Sequence, residues 1–299
     1  MANLKEVRDR IKSVNNTKQI TNAMKMVSAA KLRRAQDAIV RMRPYANKLN
    51  DMLVNILSNL EGGANTSFGE ERIVNKACVV VVTSNRGLAG AFNNNVSKAA
   101  ARTIEEKYAD VYEKGNLTIL PIGKKGNEYF KKRYPKATIP QDYVALFSDL
   151  DFDNVARVSQ LLMDEFEAGE FDAVDVSYGR FRNAGLQYTE CVPFLPVPKI
   201  EVAEDEKEAS KMRADYIFEP SKEELLNHLV PTILQTTFHK FVLDTHASEH
   251  GARMTAMDKA TENADEMLKE LKISYNKARQ EAITKELSEI VGGAAALEG

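Results

Sequence analysis

The sequence predicts a mixed α+β and α/β chain: a long antiparallel coiled coil of the N- and C-terminal helices, with a Rossmann-like α/β domain inserted between them. Three observations predict it. Residues 1–61 and the last fifty residues both keep apolar side chains at heptad spacing. Residues 76–200 instead alternate short β-rich runs with helical ones, the pattern of a mainly parallel sheet covered by helices. The two ends also differ in charge. Residues 1–60 hold twelve Lys/Arg against four Asp/Glu, and residues 248–299 hold seven against ten, so the two helices can attract each other.

The first element is a helix over residues 1–61. Leu4, Val7, Ile11 and Val14 open a heptad seam, and Leu32, Ala35, Ile39, Met42, Ala46, Leu49, Leu53, Ile56 and Leu60 continue it in register. Between them the seam falls on Lys18, Thr21, Lys25 and Ser28. The apolar stripe is expected to move there to Ile20, Met24 and Val27. Pro44 should bend the helix or interrupt its hydrogen bonding, and Gly62-Gly63-Ala64-Asn65 reads as the loop that ends it.

The inserted domain spans residues 76–200. Ala77–Thr83 is a buried strand, with the turn SNRGLAGAFN after it and then a helix over about 95–108. Leu117–Ile122 is a second strand and Gly123–Tyr134 a short helix; Thr138–Tyr143 suits a third strand, Asn154–Glu167 an amphipathic helix, and Ala173–Tyr178 and Leu186–Leu195 two more strands. Pro193, Pro196 and Pro198 stop the sheet, and the charged stretch 199–215 reads as an exposed connection.

The last helical region covers residues 221–296. Ser221 and Glu224 make a capping box after Pro220, and Pro231 should kink the helix. Met254, Met257, Ala264, Leu268, Leu271, Tyr275, Ala278 and Ala282 lie on one strict seam, with Thr261 its one polar member. Fifty residues at 1.5 Å each is a rod of roughly 70 Å, too long to lie on a compact domain of this size. After Ala282 the seam meets Lys285 and Glu289, and the apolar stripe moves to Ile283, Leu287, Ile290 and Ala294. The N-terminal helix is expected to cover Met254 to Ala282, and another protein the remainder.

Several function classes drop out. No apolar run approaches the eighteen residues of a membrane span, and the start, MANLKEVRDRIK, is too charged for a secretory signal. Cys78 and Cys191 sit in strand-like contexts and read as buried thiols. Four histidines have no ligand spacing, so neither a metal nor a cofactor is expected. The turn Ser84–Gly90 stands where a phosphate loop would, between strand and helix, but it lacks both the GK[ST] ending and GxGxxG. It reads instead as a tight turn presenting Arg86 to a partner. No catalytic constellation and no aromatic–basic nucleic-acid face is present. The residues alone fit a coiled-coil scaffold or adaptor, which would form a homo-oligomer.

Six stretches resemble the gamma subunit of F-type ATP synthase. They are KSVNNTKQITNAMKMVSAAKLRRAQ (12–36) with RPYA (43–46), SNRGLAGAFN (84–93), DYIFEP (215–220), ASEHGARMTAMDKATENA, and YNKARQEAITKELSEIVGGAAA. The resemblance implies a non-catalytic rotor shaft inside a ring of alpha and beta subunits, with its α/β domain beside the epsilon subunit and the membrane ring of c subunits. It implies contact with beta at Met24, Lys25, Arg86, Asn93, Arg279, Gln280 and Thr284. It also implies that Tyr216 faces the c-ring and epsilon. The plant redox insert with paired cysteines is absent, so no thiol control is implied. The expected setting is the cytoplasmic face of a bacterial inner membrane, as a peripheral part of the complex.

Overall fold

The computed structural model describes residues 4–58, 67–69, 72–197 and 222–298. The capping box at Ser221, the loop at Gly62–Asn65, the charged stretch 199–215 and Tyr216 lie outside the described residues. The elements are α1 (Leu4–Ser58), a 3-10 turn (Ser67–Gly69), β1 (Ala77–Val82), α2 (Phe92–Lys107), α3 (Ala109–Glu113), β2 (Leu117–Ile122), α4 (Lys124–Arg133), a second 3-10 turn (Leu146–Ser148), α5 (Phe152–Glu167), β3 (Ala173–Asn183), β4 (Leu186–Leu195) and α6 (Lys222–Glu298). Pro44 and Pro231 both fall inside continuous helices, α1 and α6. The chain divides into two units: Ala30–Ala252, and the chain up to Ala29 together with the chain from Arg253.

In the Ala30–Ala252 unit the sheet order is β2-β1-β3-β4. β1 pairs in parallel with β2 and β3, and β4 closes the edge antiparallel to β3. A parallel strand with helices on both faces must be apolar throughout, and all six residues of β1 are buried. Its side chains alternate between two cores. Val79 and Val81 join Phe92, Val96, Ile104 and Phe130 on the α2–α4 side. Cys78, Val80 and Val82 join Leu162, Met163 and Phe166 of α5 and Phe238 and Val242 of α6 on the other. The inward stripe of α5 is Val155, Val158, Leu162 and Phe166, at helical spacing, and Asp151 caps its start by accepting from the Asn154 N–H at 2.8 Å. β4 passes through Pro193 instead of stopping there, which an edge strand tolerates. Cys78 is buried and Cys191 half-buried, both as free thiols. Burial raises the pKa of each, that of Cys191 to about 11.

The expected strand over Thr138–Tyr143 shrinks to a single bridge between Thr138 and Thr118. The Thr138 carbonyl accepts from the Ile119 N–H at 2.9 Å, but Pro140 has no N–H to extend the ladder. Gln141 then turns the chain by donating to the Ile139 carbonyl at 3.0 Å and pairing with Asn127.

In the other unit α1 and α6 pair antiparallel. Arg8 reaches Tyr275, Lys18 reaches Asp265, Thr21 reaches Thr261 and Lys25 reaches Asp258, so partner numbers fall as residue numbers rise. The seam residues Val7, Met257, Ala264 and Leu268 are buried.

Candidate functional site

The pairing unit corrects one expectation. The apolar stripe does not move at Lys18–Ser28; the heptad register runs straight through. Thr21 and Ser28 are buried at 8% and 3% exposure, while Ile20 and Val27 stand 61% and 57% exposed. A polar seam residue costs stability unless its partner is supplied, and here each one is. The Thr21 and Thr261 hydroxyls meet at 2.8 Å, with the Lys18 carbonyl in reach of Thr21 and the Met257 carbonyl in reach of Thr261. The Ser28 hydroxyl donates to the Met24 carbonyl at 2.8 Å. Lys18 and Lys25, seven residues apart, meet Asp265 and Asp258, also seven apart. That matched spacing is the signal that reading one helix at a time passes over. Arg8 donates to the Tyr275 hydroxyl at 3.0 Å, a bond that raises the guanidinium pKa further.

Ile20, Met26 and Val27 of α1 and Met267 and Ile273 of α6 are exposed. Seam burial ends at Ala282, as the sequence pattern anticipated: Ala278 and Ala282 are half-buried, and every residue from 283 to 294 is exposed. Ile283, Leu287, Ile290 and Val291, at 49–68% exposure, form an apolar strip with helical spacing.

The expected contact residues fall in both units. Met24 is half-buried beside the seam, and Lys25 is committed to Asp258. Arg279, Gln280 and Thr284 are exposed, with Gln280 and Thr284 on one face at i,i+4 spacing. Arg86 and Asn93 belong to the other unit. Arg86 is exposed on the turn after β1, whereas Asn93 holds that turn shut: its side-chain oxygen accepts from the Ser84 N–H and its NH2 donates to the Ser84 hydroxyl, both at 2.9 Å. The Ser84 hydroxyl in turn donates to the Arg86 carbonyl at 2.6 Å. The turn carries Leu88 at φ 63°, a left-handed backbone rare for a leucine, and leaves it 63% exposed. Leu88 is therefore a contact candidate that residue type alone does not disclose.

Among the described residues no group of three or more His, Cys, Asp or Glu side chains could hold a metal ion. No described helix is long and apolar enough to cross a membrane.

Comparison with known proteins agrees over the full length. The family model described as ATP synthase matches residues 3–297. The ATP synthase gamma chain of Cytophaga hutchinsonii is 52% identical over 99% of both chains, and that of Flavobacterium psychrophilum 50% identical over 100% of both. Among solved structures, a chain of the Euglena gracilis mitochondrial ATP synthase OSCP/F1/c-ring assembly shares the fold with a TM-score of 0.62 at 21% identity, covering 98% of this chain and 94% of that one. With a pair of terminal helices in one unit, a mixed sheet in the other, and half or better identity to these gamma chains from end to end, the chain belongs to the ATP synthase gamma-chain family.

Proposed function

We propose that this chain is the central rotor shaft of a proton-driven rotary ATP synthase, coupling turning of the c-ring to conformational change at catalytic beta subunits. It carries no active site and binds no cofactor. The observation that supports this best is the apolar strip beyond Ala282, which stands exposed among the described residues. Beyond Ala282 about twelve described residues stand fully outside the seam, including Ile283, Leu287, Ile290 and Val291. Exposed apolar area of this kind is stabilised when another protein encloses it, at about 25 cal/mol per Å². A ring of alpha and beta subunits is the sleeve of the right chemistry.

The mechanism follows from asymmetry. A shaft shifts the equilibrium of a beta subunit only through contacts that differ between its states. One face of the shaft presents Met24 and the Lys25–Asp258 pair, and its terminal stretch presents Arg279, Gln280 and Thr284 above an apolar strip. Turning exchanges which of these faces each beta subunit meets. Arg86 and Leu88, on the turn that Asn93 pins, serve as a further beta contact. The complex lies on the cytoplasmic face of a bacterial inner membrane, and this chain reaches the membrane only through its partners.

Co-expression with alpha and beta subunits tests the reading. Recovery of an ATPase complex holding one copy of this chain is the expected result. A stable homo-oligomer of the chain alone that takes no place in such a complex would overturn it in favour of a scaffold.

A further inference from the structure

A cavity of about 520 Å³ opens within the Ala30–Ala252 unit, between the later part of α1, the exit of β3 and the first third of α6. Its size falls in the range of small-molecule sites, and its walls divide by chemistry. Ile39, Met42, Ile233 and Phe181 supply an apolar side. Arg43 from α1, Arg180 from β3 and Lys240 from α6 supply three cations. Arg180 is partnered by Glu190 at 3.0 Å. Arg43 and Lys240 make no ion pair within 4 Å among the described residues.

Asp244 also lines the cavity. It is 7% exposed, yet its carboxylate forms no hydrogen bond or ion pair among the described residues. Taking most of a carboxylate out of water disfavours its charged form. Three cations face it without closing on it, which leaves the middle of the cavity positive and open.

We propose that this cavity is a binding site for a small multivalent organic anion, phosphorylated or polycarboxylate, gripped by Arg43 and Lys240 and steadied by Arg180. Cations converging from three elements fit an anion with two or more charged oxygens, and the guanidinium of Arg43 offers a bidentate fork. The apolar side accommodates the carbon skeleton. Asp244 makes the grip depend on pH. Ionised, it opposes the incoming charge; protonated, it becomes a donor to the ligand. The groups that face it are Arg43 on α1, Tyr178 and Arg180 on β3, Glu190 on β4 and Lys240 on α6. Burial lifts its pKa to about 6 against the pull of the three cations, so the change falls just below neutrality. Ligand affinity should therefore rise as pH falls from 7.5 to 5.5.

The test is calorimetric titration of the purified full chain with inorganic pyrophosphate and, separately, with citrate, in a buffer free of other multivalent anions. The chain alone is used so that the nucleotide sites of other subunits do not contribute. Saturable binding of either probe with Kd at or below about 1 mM is expected. The Arg43→Gln/Lys240→Gln double variant should weaken it at least tenfold with an unchanged circular dichroism spectrum, and Lys131→Gln on α4 should not. Asp244→Asn should tighten binding at pH 7.5 and flatten its pH dependence. Preference for pyrophosphate assigns a phosphoryl ligand, and preference for citrate a carboxylate one. No saturable binding of either probe, or equal binding by the double variant, overturns the proposal and leaves the rotor reading untouched.

Discussion

Replacing Asp244 with asparagine should make the protein more stable at neutral pH. The native carboxylate is buried without a hydrogen bond among the described residues, and its pKa rises from 3.8 to about 6, chiefly through desolvation. The folded state then holds its proton more tightly than the unfolded chain does. Between about pH 4 and 6 the folded state binds more protons, so this group's contribution to stability falls as pH rises through that window. At 1.36 kcal/mol per unit, the shift of roughly two units costs up to about 3 kcal/mol above pH 6. Asparagine keeps the shape and never ionises, so the variant should match the wild type near pH 4 and exceed it by up to about 3 kcal/mol at pH 7.5. Urea denaturation of the full chain, monitored by circular dichroism from pH 4.5 to 8, reads the difference directly. Parallel stability curves for wild type and variant across that range would refute the reasoning, because they would mean that Asp244 titrates alike in both states.

A double-mutant cycle on Lys25→Ala and Asp258→Ala should give a coupling of only about 0.2–1 kcal/mol, because both side chains are some 40% exposed and water screens the pair; denaturation of the four proteins measures it. Gly123→Ala should cost about 3 kcal/mol or more. The backbone there has φ 104°, and an added Cβ would lie 2.1 Å from the Thr83 carbonyl oxygen, so the thermal midpoint of the α/β domain should drop sharply. Truncation after Ala282 should leave the melting of the isolated chain almost unchanged, since residues 283 to 294 are all exposed. In the assembled complex the same truncation should lower ATPase activity; an isolated chain that lost several degrees of stability would show that the stretch packs against its own helices.

Most of the architecture is legible in the sequence because periodicity reports burial directly. The seam from Met254 to Ala282 and the strands Leu117–Ile122 and Leu186–Leu195 match residue for residue. The two misreadings have separate physical reasons. Thr138–Tyr143 has the composition of a strand, but Pro140 lacks the donor that a second rung requires. Lys18–Ser28 resembles a break when the seam is judged by hydrophobicity, whereas Thr21 and Lys25 are satisfied by partners some 240 residues away and Ser28 by the Met24 carbonyl. The positions implied by resemblance are mostly exposed and carry little signal of their own; the role of Asn93 in closing its turn emerges only once Ser84 is placed beside it. The cavity is invisible in the sequence because Arg43, Arg180, Lys240 and Asp244 come from three separate stretches.

The two Lys–Asp pairs and the threonine pair between them act together as an axial ruler. Two apolar helices with a repeating seam can slide by one heptad and still bury leucine against leucine. In this unit such a slip, with α6 moved by seven residues, would still bring Lys25 to Asp265. It would also set Lys18 against Lys272 and Thr21 against Leu268, leaving a like-charge contact and a buried hydroxyl without its mate. Only one alignment satisfies all three pairs. A part that must carry torque over many turns therefore holds its length and phase by polar matching at its middle, while the apolar seam on either side supplies adhesion that does not itself distinguish one heptad from the next.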